Sequence, residues 1–167
     1  NKTKGKYFIF IGRISKEKGI DILIEAFTKM KTKGILKIVG DGELLAAFKR
    51  KKYKNIQFLG FKSEDEVNEL LVNSSFNIVP SQWYENNPLT VIESYVHGVP
   101  VIGSKIGGIP EIIVDKKTGY LFNPKDIDML SKILDLANQI SKHEYSEFSK
   151  NSRKLAEKLF NPNIHYK

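Results

Sequence analysis

Two acidic residues, Glu85 and Glu93, stand eight positions apart in "WYENNPLTVIES" (Trp83 to Ser94), a stretch that changes character between them. Glu85 lies in a polar loop ahead of Asn86, Asn87 and Pro88, whereas Glu93 lies inside an apolar, helix-like run. A carboxylate can accept two hydroxyl hydrogen bonds from a vicinal diol, so one could hold a ribose and the other a hexose. Paired carboxylates are also the equipment of glycoside hydrolysis. Both could equally be ordinary solvent-facing acids. Upstream, "GRISKEKG" (Gly12 to Gly19) sets Arg13, Lys16 and Lys18 between glycines. In a chain with 24 lysines and three arginines, an arginine beside a glycine is a candidate anion ligand.

These residues need elements to position them. "KYFIFIG", "ILKIVGDG", "NIQFLGF", "FNIVP", "VPVIGS" and "TGYLF" read as six short strands. Helical runs fall between them. "GIDILIEAFTKMK" places Ile20, Leu23, Ile24 and Phe27 on one face, and "ELLAAFKRK" follows the second strand. "SEDEVNELLVNS" opens with Ser63 and Glu66 at capping-box spacing and carries Val67, Leu70 and Leu71. "PLTVIESYVHG" is a fourth helix and "GGIPEIIVD" a short one; two more run roughly over Lys125–Ile140 and Glu144–Leu159. Continuous apolar strands alternating with helices predict an α/β fold. The expected form is a doubly wound, Rossmann-like parallel sheet of about six strands with helices on both faces. Strand order is not readable at this stage.

In such sheets ligands bind beyond the carboxyl ends of the strands. The loops there carry glycine at Gly12 and Gly19, Gly40 and Gly42, Gly60, and Gly107 and Gly108. Glycine either makes a tight turn or lets backbone approach a ligand. Four glycine loops on one rim, one with Arg13 and Lys18, point to an anionic ligand such as a nucleotide diphosphate. At the fourth helix, Asn87 is the expected N-cap and Pro88 the first helical residue. Leu89, Ile92 and Val96 would form its buried stripe.

Composition narrows the classes. With 167 residues and 41% hydrophobic content, one packed domain is expected. There is no cysteine, so disulfide scaffolds and thiolate zinc sites are excluded, and three scattered histidines suggest no metal. No apolar run reaches the roughly 18 residues of a membrane span and no signal-peptide pattern opens the chain, which makes the cytoplasm the expected compartment. The net charge is +8, and its densest cluster, "FKRKKYKN" (Phe48 to Asn55), is expected to be a solvated helix face rather than a nucleic-acid site.

Taken in order, the motifs resemble the C-terminal, nucleotide-sugar-binding half of GT-B-fold retaining glycosyltransferases of family 4. "GRISKEKGID" resembles the family's Gly-Arg…Lys-Gly loop, "IVGDGE" its glycine turn and "IQFLGF" its Phe-x-Gly element. "PSQWYENNPLTVIESYVHGVPVIGSKIGGIPEII" resembles the signature of two glutamates separated by seven residues, and "DKKTGYLFNPKDID" fits the turn and helix after it. The resemblance implies transfer of a hexose from a nucleoside diphosphate sugar, UDP ahead of GDP or ADP, to an acceptor hydroxyl with retention. No metal and no further cofactor is implied. Arg13 and Lys18, beside Gly12, would bind the diphosphate. Glu85 would hold the transferred sugar and Glu93 the ribose. Gly60, Phe61 and Lys62 would flank the base. The backbone of Asn86, Asn87, Pro88, Leu89 and Thr90 would lie along sugar and phosphates. Glu85, Arg13 and Lys18 would thus bear on the reacting centre. Many members carry glycine and an apolar residue where this chain has Asn86 and Asn87, which implies a more polar sugar pocket.

The resemblance also implies a second, N-terminal domain bearing the acceptor site. "NKTKGKYF" begins where an interdomain linker would finish, and "KLFNPNIHYK" stops where a helix would cross back. The chain alone is therefore expected to lack turnover. Acceptors in glycan, lipopolysaccharide or glycolipid synthesis all fit, and the basic surface suits peripheral contact with the inner face of a membrane. The alternative is a non-catalytic nucleotide-binding scaffold or regulatory module.

Overall fold

Strands that are apolar along their whole length fold as strands covered on both sides, and the structure, a computed structural model describing residues 2–86 and 88–160, shows this. The elements are β1 (Phe8–Ile11), α1 (Ile20–Thr28), β2 (Leu36–Val39), α2 (Leu45–Arg50), β3 (Ile56–Gly60), α3 (Glu64–Val72) and β4 (Asn77–Val79). They continue with α4 (Leu89–Val96), β5 (Val101–Ser104), α5 (Ile109–Ile112), β6 (Gly119–Phe122), α6 (Ile127–Gln139) and α7 (Lys142–Phe160). The strands form one parallel sheet in the order β3-β2-β1-β4-β5-β6. The chain therefore builds outward from β1 in one direction and from β4 in the other.

The helices divide between two layers. On one face, Ile20, Leu23, Ile24 and Phe27 of α1 are buried as their spacing predicts, and α1 packs on α6 over Phe8, Phe10 and Phe76. On the other face, Leu70 and Leu71 of α3 cover Ile9 and Val39, while Val91 and Tyr95 of α4 cover Val79 and Val101. Each fully buried side chain of this size contributes about 1.5–3 kcal/mol. The last helix, α7, joins both layers: Tyr145 and Phe148 pack against Phe76, and Ala156 joins the cluster around α4. The Ser63 side chain caps α3 by accepting from the Glu66 amide at 3.3 Å, as the capping-box spacing predicts.

One expectation fails at α4. The buried residues are Val91, Ser94 and Tyr95, whereas Leu89 is 59% and Val96 46% exposed. The reason lies in the polar tips. The Tyr95 hydroxyl meets Thr118 Oγ1 at 2.7 Å, and Asn77 Nδ2 donates to Ser94 Oγ at 2.7 Å, so residues that read as surface are satisfied inside. Pro88 takes the N-cap position and Leu89 opens the helix, one residue later than expected. The N-cap expected at Asn87 lies outside the described residues.

Charge is unevenly distributed. Between Lys29 and Lys54 the chain carries nine lysines and arginines against two acids, which is seven of its eight net positive charges. Most of these side chains are exposed, and the run from Lys49 to Lys54 ends α2 and leads into β3, an outer strand of the sheet.

At the opposite end from the rim, Lys2 Nζ donates to Ser74 O at 2.9 Å and to the Tyr145 hydroxyl at 3.1 Å. Burial lowers its pKa to about 8. Between pH 8 and 10.5 the unfolded chain holds this proton more tightly than the folded one, so the burial penalty is relieved as pH rises. Denaturant titrations across that window should show the stability of the natural chain rising relative to a Lys2→Met variant; parallel pH profiles would refute the assignment.

Candidate functional site

The point where strand order reverses, between β1 and β4, is where connections depart in opposite directions and leave a crevice. A cavity of about 250 Å³ opens there, lined among others by Gly12, Lys18, Ser81, Glu85, Leu89 and Thr90. Beside it, sharing Ile11 and Gly12, a recess of about 350 Å³ is lined by Arg13, Gly40, Asp41, Phe61 and Lys62.

Buried pegs aim the basic loop. Ile14 is fully buried; its amide donates to Asp41 O at 2.9 Å and its carbonyl accepts from the Leu44 amide at 3.1 Å. Arg13, just before it, stays exposed and pairs with Glu43 at 3.4 Å. The loop ends at Gly19, whose φ of 74° and contact with Pro80 admit no side chain: a Cβ would stand 1.8 Å from Pro80 O. The neighbouring Glu17 carbonyl accepts from the Gln82 amide at 2.9 Å, and Gln82 Nε2 donates to Asp21 Oδ1 at 2.9 Å. The loops after β1 and β4 are thus laced together along their backbones.

That lacing brings Lys18 and Glu85 to 2.7 Å, with their side chains 42% and 20% exposed. Ser81 Oγ donates to the same oxygen, Glu85 Oε1, also at 2.7 Å. From the other side, the loop after β5 clamps the Glu85 backbone. Gly108 N donates to Glu85 O at 2.7 Å, and a Cβ on Gly107, whose φ is 58°, would lie 2.6 Å from Glu85 N and O.

The glycines of the rim therefore divide. Gly40, Gly42, Gly107 and Gly108 make room for neighbouring backbone, on Gly12, Ile14 and the Glu85 segment. Gly60 faces open space with a φ of 72°, and Gly12 meets only the Phe10 ring. Phe61, 84% exposed, stands over the recess, and Lys62 pairs with Glu66 at 3.7 Å. The helix α4 starts at Leu89 without a side-chain cap among the described residues; the Val91 amide donates to Pro88 O at 3.1 Å, which leaves the Leu89 and Thr90 amides for a ligand. Glu93 is exposed and does not line the cavity; it continues the helical face of Leu89 and Thr90 by one turn. Asn86 is exposed beside the clamp, and Asn87 is outside the described residues. Only Glu85 of the two lines this cavity, whereas the hydrolase arrangement requires both carboxylates on one cleft.

The family description "Glycosyl transferases group 1" matches residues 1–155. The chain belongs to this family. Among curated relatives of this chain, an uncharacterised glycosyltransferase of Methanocaldococcus jannaschii is 34% identical over 83% of this chain and 40% of its own length. The N-acetyl-alpha-D-glucosaminyl L-malate synthase of Bacillus anthracis is 35% identical over 83% of this chain and 37% of its own. The chain thus spans about two fifths of the curated relatives it matches. In fold it is similar to HepE of Anabaena, solved with UDP-glucose, with a TM-score of 0.83, 22% identity and coverage of 94% of this chain and 45% of that one. It is also similar to the catalytic domain of cholesterol-alpha-glucosyltransferase from Helicobacter pylori, with a TM-score of 0.82, 20% identity and coverage of 92% and 99%.

Sequence reasoning brought Gly12, Arg13, Lys18, Glu85, Leu89 and Thr90 to one rim, and the structure gathers them there. It missed Ser81, Ser104 and Ile14. The Pro-Ser step closing β4 was the available signal for Ser81, since a strand end on this rim positions whatever follows it. Gly107→Ala should displace the Glu85 segment at a cost of about 1–3 kcal/mol. A crystal structure of that variant should show the Lys18–Glu85 pair broken; an intact pair would contradict the clamp.

Proposed function

We propose that this chain is the donor-binding half of a retaining glycosyltransferase that moves a hexose from a nucleoside diphosphate sugar to an acceptor hydroxyl. One observation carries the reading: at the switch point, a cation suited to phosphate and a carboxylate suited to sugar hydroxyls are held 2.7 Å apart. Lys18 and Arg13 would take the diphosphate, together with the amides that open α4. Glu85 would hold the sugar, and Glu93, one turn along from Leu89 and Thr90, the ribose. The backbone from Asn86 to Thr90 would run along sugar and phosphates. Gly60, Phe61 and Lys62 would border the base in the adjoining recess.

In this reading the bond from the anomeric carbon to the diphosphate breaks as charge grows on the leaving oxygen. Arg13 and Lys18 stabilise that charge as it develops. The acceptor hydroxyl attacks from the same face and passes its proton to the departing diphosphate, which retains configuration. HepE, similar in fold, is solved with UDP and with UDP-glucose, which favours UDP over GDP or ADP. Relatives named for colanic acid biosynthesis and for lipopolysaccharide N-acetylglucosamine transfer support glycan or glycolipid assembly. The remaining length of those relatives would supply the N-terminal domain and the acceptor site. No helix among the described residues is long and apolar enough to cross a membrane. The proposed place of work is the cytoplasmic side, and the basic stretch from Lys29 to Lys54 favours peripheral contact with an anionic membrane face.

Calorimetric titration with UDP, GDP and ADP tests the donor site. UDP should bind in preference, and Glu93→Ala should weaken it about tenfold or more, the worth of a hydrogen bond to a charged group. Equal affinity for all three, unmoved by the substitution, would refute the assignment. The chain by itself should show no transfer to a panel of lipid and sugar acceptors; measurable transfer would place the acceptor site within these residues.

A further inference from the structure

Among the described residues, the Glu85 carboxylate receives both of its hydrogen bonds on one oxygen, Oε1, from Lys18 Nζ and Ser81 Oγ at 2.7 Å each. The two donors differ in what a ligand can do to them. Lys18 is 42% exposed on a flexible stem and lines the cavity, so a diphosphate with more charge than one carboxylate draws it away. Ser81 is 1% exposed. Its own place is fixed from beneath, where Ser104 Oγ, fully buried at the end of β5, donates to Ser81 O at 2.7 Å. Ser81 is neutral, buried and already committed, so a phosphate does not compete for it.

We propose that Ser81 is a positioning residue for the donor sugar, holding the Glu85 carboxylate in place when Lys18 turns to the diphosphate. This rests on the donor-site reading above. In the empty site Lys18 and Glu85 neutralise each other. With donor bound, Lys18 serves the phosphates, while Ser81 keeps Oε1 and leaves Oε2 turned to a sugar hydroxyl. A nucleotide without its sugar takes Lys18 but gives Glu85 no new partner, so the site favours donor over the diphosphate product. That preference depends on Ser81, whereas the grip on the nucleotide does not.

Two measurements test this. In calorimetry with UDP and with UDP-glucose, UDP-galactose and UDP-N-acetylglucosamine, Ser81→Ala should leave UDP within about twofold. Its affinity for the best sugar nucleotide should fall about tenfold, as expected for a lost hydrogen bond to a charged group. An equal loss for UDP and sugar nucleotide, or no loss for either, overturns the proposal. Independently of any nucleotide, crystal structures of Lys18→Met and of Lys18→Met combined with Ser81→Ala should differ. Glu85 should keep its place in the first and leave it in the second; displacement in the first alone, or no displacement in the second, overturns the proposal. If UDP fails to bind the natural chain, the donor-site reading fails, while the two crystal structures still decide the role of Ser81.

Discussion

The rim is organised by the lacing of two loops that leave the sheet on opposite sides. A reversal of strand order opens a crevice in any doubly wound sheet. Here the crevice is closed at its base by backbone contacts: the Gln82 amide on Glu17 O, and Gly19 against Pro80. Without them Lys18 and Glu85 would sit on separately mobile loops. With them, a cation from the first half of the sheet and a carboxylate from the second meet at hydrogen-bond distance. The clamp from Gly107 and Gly108 then fixes the carboxylate from a third direction.

The electrostatics of the resting site follow the same economy. Arg13, Lys18 and Lys62, the cations around the two recesses, each have a carboxylate partner in Glu43, Glu85 and Glu66. Exposed pairs of this kind are worth about 0–1 kcal/mol, so a ligand can exchange them at little cost. The pairing holds these long side chains at the two recesses and tempers attraction for stray anions. In the proposed donor site the half-buried Lys18–Glu85 pair is the one whose exchange would matter, because both of its members line the same cavity.

Local chemistry was the legible part of the sequence. Six strands, the helical faces of α1 and α3, and the Ser63 cap were readable because period and capping are encoded within a few residues. Strand order was not, since it depends on which helix covers which face. The stripe of α4 was misread because Tyr95 and Ser94 carry polar atoms whose partners, Thr118 and Asn77, lie 23 and 17 residues away. The rim glycines pointed to the right loops, but most serve neighbouring backbone. Ser104 was invisible for the same reason: it is defined by its partner, the Ser81 carbonyl, which lies 23 residues away.

The basic run from Lys49 to Lys54 has one more effect, through its place beside β3. As an outer strand, β3 leaves one row of amides and carbonyls without a neighbouring strand, the kind of surface on which a second sheet can grow. A row of like charges leading into that edge repels an identical edge approaching it. The same lysines that give the chain its charge thus act as gatekeepers against edge-to-edge aggregation, and neutralising them would be felt first as a loss of colloidal stability.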